Sequence, residues 1–102
     1  MKTEASIYLD YQRTMNQADR LSEIASRLNT ISSLDLQNCL GQISGHWEGE
    51  NAAAYINKGR IVSEKINKTS TELRKAADTI RKMAANTYNA EMRALAIAKS
   101  GH

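Results

Sequence analysis

Apolar residues recur every three or four positions along most of the chain, which is the spacing of one face of an α-helix. In the first half this stripe consists of Ile7, Tyr11, Ala18, Leu21, Ala25, Leu28, Leu36, Leu40 and Ile43. Ile24 and Ile31 widen it, so the helix has apolar surface for two neighbours. The pattern predicts one helix over about 4–44. Its weak point is Ser32-Ser33, where a kink or short break could occur because serine side chains compete for backbone hydrogen bonds.

The second half carries a cleaner apolar stripe, whose members alternate between steps of four and three residues. They are Val62, Ile66, Thr69, Leu73, Ala76, Ile80, Met83, Thr87, Ala90, Ala94 and Ile97. This is the a/d pattern of a coiled coil, sustained over five heptads, and it predicts a helix over about 50–98. The small members of the stripe would let a partner helix approach closely.

A short connection at about 45–49 joins the two predicted helices. Gly45 offers the left-handed conformation that commonly ends a helix, and Gly49 can adopt backbone angles closed to other residues. So short a link makes consecutive helices antiparallel neighbours. The fold class expected is therefore all-α, a single domain over 1–102 that forms an antiparallel two-helix hairpin with a frayed C-terminus.

A hairpin of this size has no third layer to cover its remaining apolar surface. Covering several exposed side chains is worth several kcal/mol, at about 25 cal/mol per Å² of apolar area. We therefore expect dimerisation into a four-helix bundle, either with a second copy or with a related hairpin. The interface expected for that dimer comprises Ile24, Leu28, Ile31, Val62, Ile66, Leu73 and Ile80.

Composition narrows the class further. The 102 residues include no Pro, no Phe and only five Gly, which disfavours a β-sandwich or barrel. No apolar run is long enough to span a bilayer, so stable membrane insertion is not expected. Glu4 and Asp10 interrupt the N-terminal region where a Sec signal peptide needs apolar residues. A single cysteine, Cys39, cannot form an internal disulfide and fits a small apolar position in a helix face.

The charges favour neither nucleic-acid binding nor catalysis. The formal charge of +3 arises in the second half, where bases alternate with acids at helical spacing, as in Glu64 and Lys68. His46 and His102 form no metal-binding pattern with other residues. Paired catalytic carboxylates, a Ser/His/Asp set and a phosphate-binding glycine loop are not recognisable. We therefore expect no enzymatic activity, no cofactor, no metal and no nucleic-acid partner.

The single tryptophan lies at the midpoint, in Trp47-Glu48-Gly49, and Ala52-Ala53-Ala54-Tyr55 follows shortly after it. With this motif between two helices of similar length, the chain resembles the WXG family, the ESAT-like substrates of bacterial type VII secretion. The resemblance extends over the whole chain in architecture but only over these few residues in motif. It implies a dimerising helical hairpin that leaves the cytoplasm folded, through a membrane translocon driven by an ATPase.

Members of that family carry an export signal near the end of the second helix, a tyrosine followed four residues later by an acid. The corresponding residues here are Tyr88 and Glu91, which are three residues apart. Positions i+3 and i+4 lie on the same helix face as residue i, so this pair could still present one aromatic and acidic patch. Two alternatives remain open: a partner supplies the full signal, or Tyr88 is only a half-buried aromatic and Glu91 a solvated acid.

The resemblance implies a small non-enzymatic substrate of a Gram-positive type VII (ESX-like) system, cytoplasmic at first and then secreted without a Sec signal. Such a protein serves as a secreted factor or as an adaptor for a larger partner, for example a toxin, and it engages the secretion ATPase. The alternative is a cytoplasmic helical interaction or chaperone-like module that is never secreted. Both hypotheses predict dimers, and they differ in where the protein is found.

Overall fold

The computed structural model describes residues 2–46 and 49–101, and the predicted all-α class is confirmed for them. Helix α1 is Glu4–Thr30, and it is followed by a π-helical segment, Ile31–Leu36. Helix α2 is Gln37–His46, and helix α3 is Glu50–Ser100. No strand occurs among the described residues.

The chain forms two compact units, and α1 and α3 contribute to both. Unit 1 contains the described residues up to Ser22 and those from Lys75 onward, whereas unit 2 contains the described residues of Glu23–Arg74. Within each unit the early and late segments run antiparallel. Unit 2, which includes the chain reversal, is by itself a helical hairpin.

The interior of unit 2 is a seam of small side chains between its two arms. Ser70 Oγ donates a hydrogen bond to the carbonyl oxygen of Ala25 at 2.8 Å. The hydroxyl oxygens of Ser32 and Ser63 share a hydrogen bond of 2.6 Å, and Ser32 Oγ also donates to the Ser63 carbonyl oxygen at 3.3 Å. Since each of these buried hydroxyls has a partner, burial of the serines leaves no polar group unsatisfied, and their small size lets the helices approach closely.

The π-helical segment keeps the larger apolar residues of the first arm in this seam. Ser32, Leu36 and Leu40 face the interior in two steps of four residues, where a heptad would alternate four with three. Without the extra residue, Asp35 and Cys39 would occupy the seam, whereas both are exposed. A π-helical turn accommodates one such inserted residue within a continuing helix.

The segment lies where the sequence predicted a weak point at Ser32-Ser33, but the helix does not break there. Ser33 Oγ donates to the carbonyl oxygen of Asn29 at 2.7 Å, and Thr30 Oγ1 donates to that of Ser26 at 3.1 Å. Such side-chain hydrogen bonds compete with the i→i−4 bonds of an α-helix. The helical path continues through the π-helical segment into α2.

Unit 1 has an apolar interior, and an arginine links its two helices at the surface. Its buried side chains are Ile7, Ala18, Ala77, Ala84 and Leu95. At its surface Arg81 Nη2 reaches Asp19 Oδ1 and Ser22 Oγ on α1, both at 2.9 Å, while Arg81 Nη1 contacts Asp78 at 2.9 Å. The hydrogen bond to Asp19 is the largest cause of a raised pKa for Arg81. The guanidinium therefore links α3 to α1 through two side chains, Asp19 and Ser22.

The apolar stripe predicted for the second helix is only partly the buried seam. Ile66, Leu73 and Ile80 are half-buried, as members of a seam would be. The alternating positions of the seam lie one residue later than the apolar pattern indicates, at Ser63, Ser70, Ala77 and Ala84. Val62, Met83 and Ile97 are left exposed, because the close helix approach selects the small neighbour over the larger one.

Candidate functional site

The chain reverses next to Gly49, the described member of the Trp-x-Gly motif. Gly49 has φ +95°, in the left-handed region that favours glycine, and α3 begins at the next residue. The expectation that Gly45 ends the first arm is wrong, because α2 continues through Gly45 to His46. Trp47 and Glu48 lie outside the described residues. The role of Gly49 in the reversal can therefore be assigned, and that of Trp47 stays a prediction.

Tyr88 lies in a cluster of three tyrosines formed by α3 and the beginning of α1. Its ring centroid is 5.1 Å from that of Tyr11, with the rings tilted by 47°. The Tyr8 ring approaches Tyr88 edge-on at 6.5 Å, and Tyr8 OH accepts a hydrogen bond from Gln12. Centroid separations and angles of this kind are favourable for aromatic pairs. Tyr88 is half-buried, as one of the sequence alternatives supposed, but its cover comes from α1.

Glu91 forms an ion pair with Lys2, which lies just before α1. Lys2 Nζ lies 2.9 Å from Glu91 Oε1 and 3.2 Å from Asp10 Oδ2, so one ammonium group bridges two carboxylates. The hydrogen bond to Glu91, followed by that to Asp10, raises the pKa of Lys2 above its usual value. Glu91 is only 27% exposed, which sets it apart from a fully solvated acid.

The structure brings Tyr88 and Glu91 together at one open groove. This groove, of about 210 Å³, also has Asp10, Tyr11 and Met83 along its border. The sequence predicted the pair on one helix face, and both residues do line the same groove. It did not identify Tyr8, Tyr11, Lys2 or Asp10 as their neighbours. Tyr8 and Tyr11 share a helix face, but no sequence pattern links them or Lys2 to residues about eighty positions away.

The residues predicted for a dimer interface differ in their exposure. Ile24, Ile31 and Val62 are exposed by 47%, 44% and 47%, which is high for large aliphatic side chains. The remaining members are half-buried, since each also borders a helix seam; they are Leu28, Ile66, Leu73 and Ile80. Ile80 belongs to unit 1, and all of the others belong to unit 2.

Five of these residues form what we call the apolar face of unit 2: Ile24, Leu28, Ile31, Val62 and Ile66. Leu28, Val62 and Ile66 line one shallow groove of about 200 Å³ together with Thr69 and the stem of Lys65. Ile24 and Ile31 lie one turn on either side of Leu28, at the spacing that puts them on its side of the helix. The face therefore draws on both arms of the hairpin.

Several other kinds of site have no counterpart in the part of the chain that the structure describes. Within 2–46 and 49–101, no three His, Cys, Asp or Glu side chains gather as metal ligands. Among the same residues, no helix has the length and apolar character needed to cross a bilayer. Cys39 is exposed on α2 and does not occupy the apolar helix position expected from the sequence.

Comparisons with protein-family models, curated proteins and solved structures found no match to this chain.

Proposed function

We propose that this protein is a small non-enzymatic substrate of a Gram-positive type VII (ESX-like) secretion system. It is exported as a dimer and serves as a secreted factor or as an adaptor for a larger partner such as a toxin. The observation that carries the proposal is the joint position of Tyr88 and Glu91 at one groove, on the helix that follows the Trp47-Glu48-Gly49 motif. An aromatic and a carboxylate on one helix face form the patch that the secretion ATPase would read.

The architecture adds support. A helical hairpin with Gly49 at positive φ directly before the second helix fits the resemblance to the WXG family. The three-residue spacing of Tyr88 and Glu91 still leaves both side chains on one side of α3, as their common groove illustrates.

The apolar face of unit 2 supports a helical partner. Three of its five members are more than 40% exposed. Association would remove this apolar area from water, so an exposed surface of this kind favours a partner. A stable interface covers about 800 Å² on each partner, so the dimer contact would extend beyond these five residues. The partner is a second copy or a related hairpin that presents an equivalent face.

Point variants test the export signal more sharply than truncation does. Removing the chain after Asn86 would also remove Tyr88 and Leu95 from the packing of unit 1, so loss of export could follow from unfolding. We therefore propose Glu91→Gln, which leaves the Tyr88 and Tyr11 rings packed, and Tyr88→Ala, whose helicity is checked by circular dichroism before export is compared. Asn89→Ala is the control on an exposed position between them. The measurement is the amount of protein in the culture supernatant of a Gram-positive host with an active type VII system.

Export is expected for the unaltered protein and for Asn89→Ala, and is expected to fall strongly for both signal variants. Undiminished export of Tyr88→Ala and Glu91→Gln would remove the signal assignment. Complete retention of the unaltered protein inside such cells would favour the alternative, a cytoplasmic helical interaction or chaperone-like module.

Assembly is tested by sedimentation equilibrium at micromolar concentration. The unaltered chain is expected to be a dimer, or to become one when a related hairpin is added. Ile31→Lys and Val62→Lys should each weaken that dimer, because a charged group would be buried in an apolar contact. Ile97→Lys is the control, since Ile97 is 71% exposed and belongs to unit 1, so it is not a member of the apolar face. A stable monomer both alone and with related hairpins would contradict the proposed assembly.

A further inference from the structure

We propose that the beginning of the chain is an autoinhibitory cover over the export patch, in which Lys2 occupies Glu91 and two tyrosines of α1 occupy Tyr88. The cover is defined by Lys2, Tyr8, Asp10 and Tyr11. This inference rests on the proposed function of Tyr88 and Glu91 and concerns the regulation of that same patch. In the free protein the cover competes for the patch, and the secretion ATPase displaces it on binding.

The electrostatic part of the cover is a single ammonium group. Lys2 Nζ contacts Glu91 Oε1 at 2.9 Å and Asp10 Oδ2 at 3.2 Å, so it ties a carboxylate of α3 to one of α1. A secretion ATPase that recognises the Glu91 carboxylate would bind the same oxygen atoms. Lys2 therefore competes directly with any cationic or hydrogen-bond-donating group that the ATPase supplies.

The aromatic part of the cover acts on Tyr88. The Tyr11 ring lies 5.1 Å from it and the Tyr8 ring 6.5 Å, centroid to centroid. Two rings from one helix thus occupy surface that an incoming apolar pocket would have to cover. Aromatic pairs in such geometries are favourable beyond the area they bury. A partner that displaces Tyr8 and Tyr11 must therefore offer the Tyr88 ring a comparable contact.

The position of Lys2 is fixed by the start of α1. Thr3 N donates to Ser6 Oγ at 3.0 Å, and Ser6 N donates to Thr3 Oγ1 at 3.1 Å, a reciprocal arrangement of the capping-box type. Lys2 is the residue immediately before this cap. Its side chain therefore starts from a defined helix end, which reduces the entropy lost when it engages Glu91.

The exposure of these groups makes the cover a weak one that opens readily. Lys2 is 53% exposed and Glu91 27% exposed, and ion pairs this accessible to water shift an equilibrium by no more than about five-fold. A secretion ATPase with a complementary surface can thus displace the Lys2 side chain without unfolding the chain. The cover tunes the rate of recognition and does not prevent it.

The first experiment measures export. Lys2→Gln should raise the initial rate of appearance in the supernatant by about two- to five-fold, since it frees Glu91. Lys2→Arg keeps a cation at the same place and should remain near the unaltered rate. The double variant Lys2→Gln/Glu91→Gln should be exported no better than Glu91→Gln alone. If Glu91→Gln lowers export while Lys2→Gln leaves the rate unchanged or reduces it, the cover is overturned and the export signal stands.

The second experiment does not require secretion. Nitration of tyrosines by tetranitromethane, followed by mass spectrometry, reads the accessibility of the Tyr88 ring in the purified chain. In Tyr11→Ala, which removes the ring 5.1 Å from that of Tyr88, the Tyr88 rate should rise by about two- to ten-fold, while the rate at Tyr55, in unit 2, should not change. An unchanged Tyr88 rate would overturn the cover whatever export shows. A raised rate together with no export of the unaltered protein would support the cover as a contact and refute the proposed function.

Discussion

Gly59 of α3 lies so close to the Leu40 side chain of α2 that a Cβ atom placed on Gly59 would overlap Leu40 Cδ2 and approach Leu40 Cγ to 3.1 Å. At the other glycines of unit 2, Gly41, Gly45 and Gly49, an added Cβ atom would meet no other atom within 4 Å. Gly59→Ala should therefore lower the free energy of unfolding by up to about 2 kcal/mol. The cost of overpacking is about 1–3 kcal/mol, and the gain in helix propensity offsets about 1 kcal/mol of it.

Gly41→Ala is the matched control for that substitution. Gly41 lies in α2, and a Cβ atom there would meet no other atom within 4 Å. Only the propensity gain remains, so Gly41→Ala should raise the free energy of unfolding by up to about 1 kcal/mol. Urea denaturation followed by circular dichroism measures both variants. If Gly59→Ala stabilised the protein as much as Gly41→Ala does, the close approach of Gly59 to Leu40 would be refuted.

Deletion of Ser33 should be tolerated, because the π-helical segment holds one residue more than a regular α-helix needs. With Ser33 removed, a continuous α-helix would still place Ser32, Leu36 and Leu40 in the seam. We expect the free energy of unfolding to stay within about 1 kcal/mol of the unaltered value, in the range of ordinary surface changes. The measurement is urea denaturation, with helicity in the far-ultraviolet retained.

Deletion of Arg20 is the comparison for Ser33, since it removes an equally exposed residue from a regular part of α1. Every residue on its N-terminal side would rotate by about 100° relative to the seam. Ile7 and Ala18 would leave the interior of unit 1, at a cost on the order of several kcal/mol. Equal stability of the two deletion variants would show that the π-helical segment does not correct the register.

The first arm of the fold could be predicted from sequence because large apolar residues mark its buried face. Ile7 and Leu40 are buried, and Tyr11, Leu21 and Leu28 are half-buried, as the stripe predicted. The location of the irregularity near Ser32 was also predicted. Its nature was not, because hydropathy does not distinguish an inserted residue from a break.

The buried positions of α3 could not be predicted from hydropathy. The two arms approach so closely that small residues occupy these positions in place of larger apolar ones. Ser63 and Ser70 rank as polar in any sequence pattern, yet both are buried through hydrogen bonds to the opposite arm. For the candidate site, helical spacing was sufficient to group Tyr88 with Glu91. The contact with Lys2 depends on where the other end of the chain lies, which periodicity does not determine.

Ser70 tests how closely the arms of unit 2 approach each other. Ser70→Ala removes the hydrogen bond to the Ala25 carbonyl oxygen and should cost about 0.5–1.5 kcal/mol. Ser70→Val should cost about 1–3 kcal/mol, because the larger side chain does not fit the seam. Thr71→Ala is the control, since Thr71 is exposed and bonds only to Asn67 of its own helix. A Ser70→Val variant more stable than Ser70→Ala would mean that the seam has spare room.

The contribution of Lys2 to stability should depend on pH only in the alkaline range. The pKa of Lys2 is raised in the folded chain, first by Glu91 and then by Asp10, so folding strengthens proton binding at this group. The stabilisation is therefore complete below the usual lysine pKa of about 10.4 and is lost as the pH rises through the higher folded-state value. The difference in unfolding free energy between the unaltered chain and Lys2→Gln should be constant from about pH 7 to pH 9 and then shrink. A Lys2 difference that grows with alkalinity would contradict the bridge to Glu91.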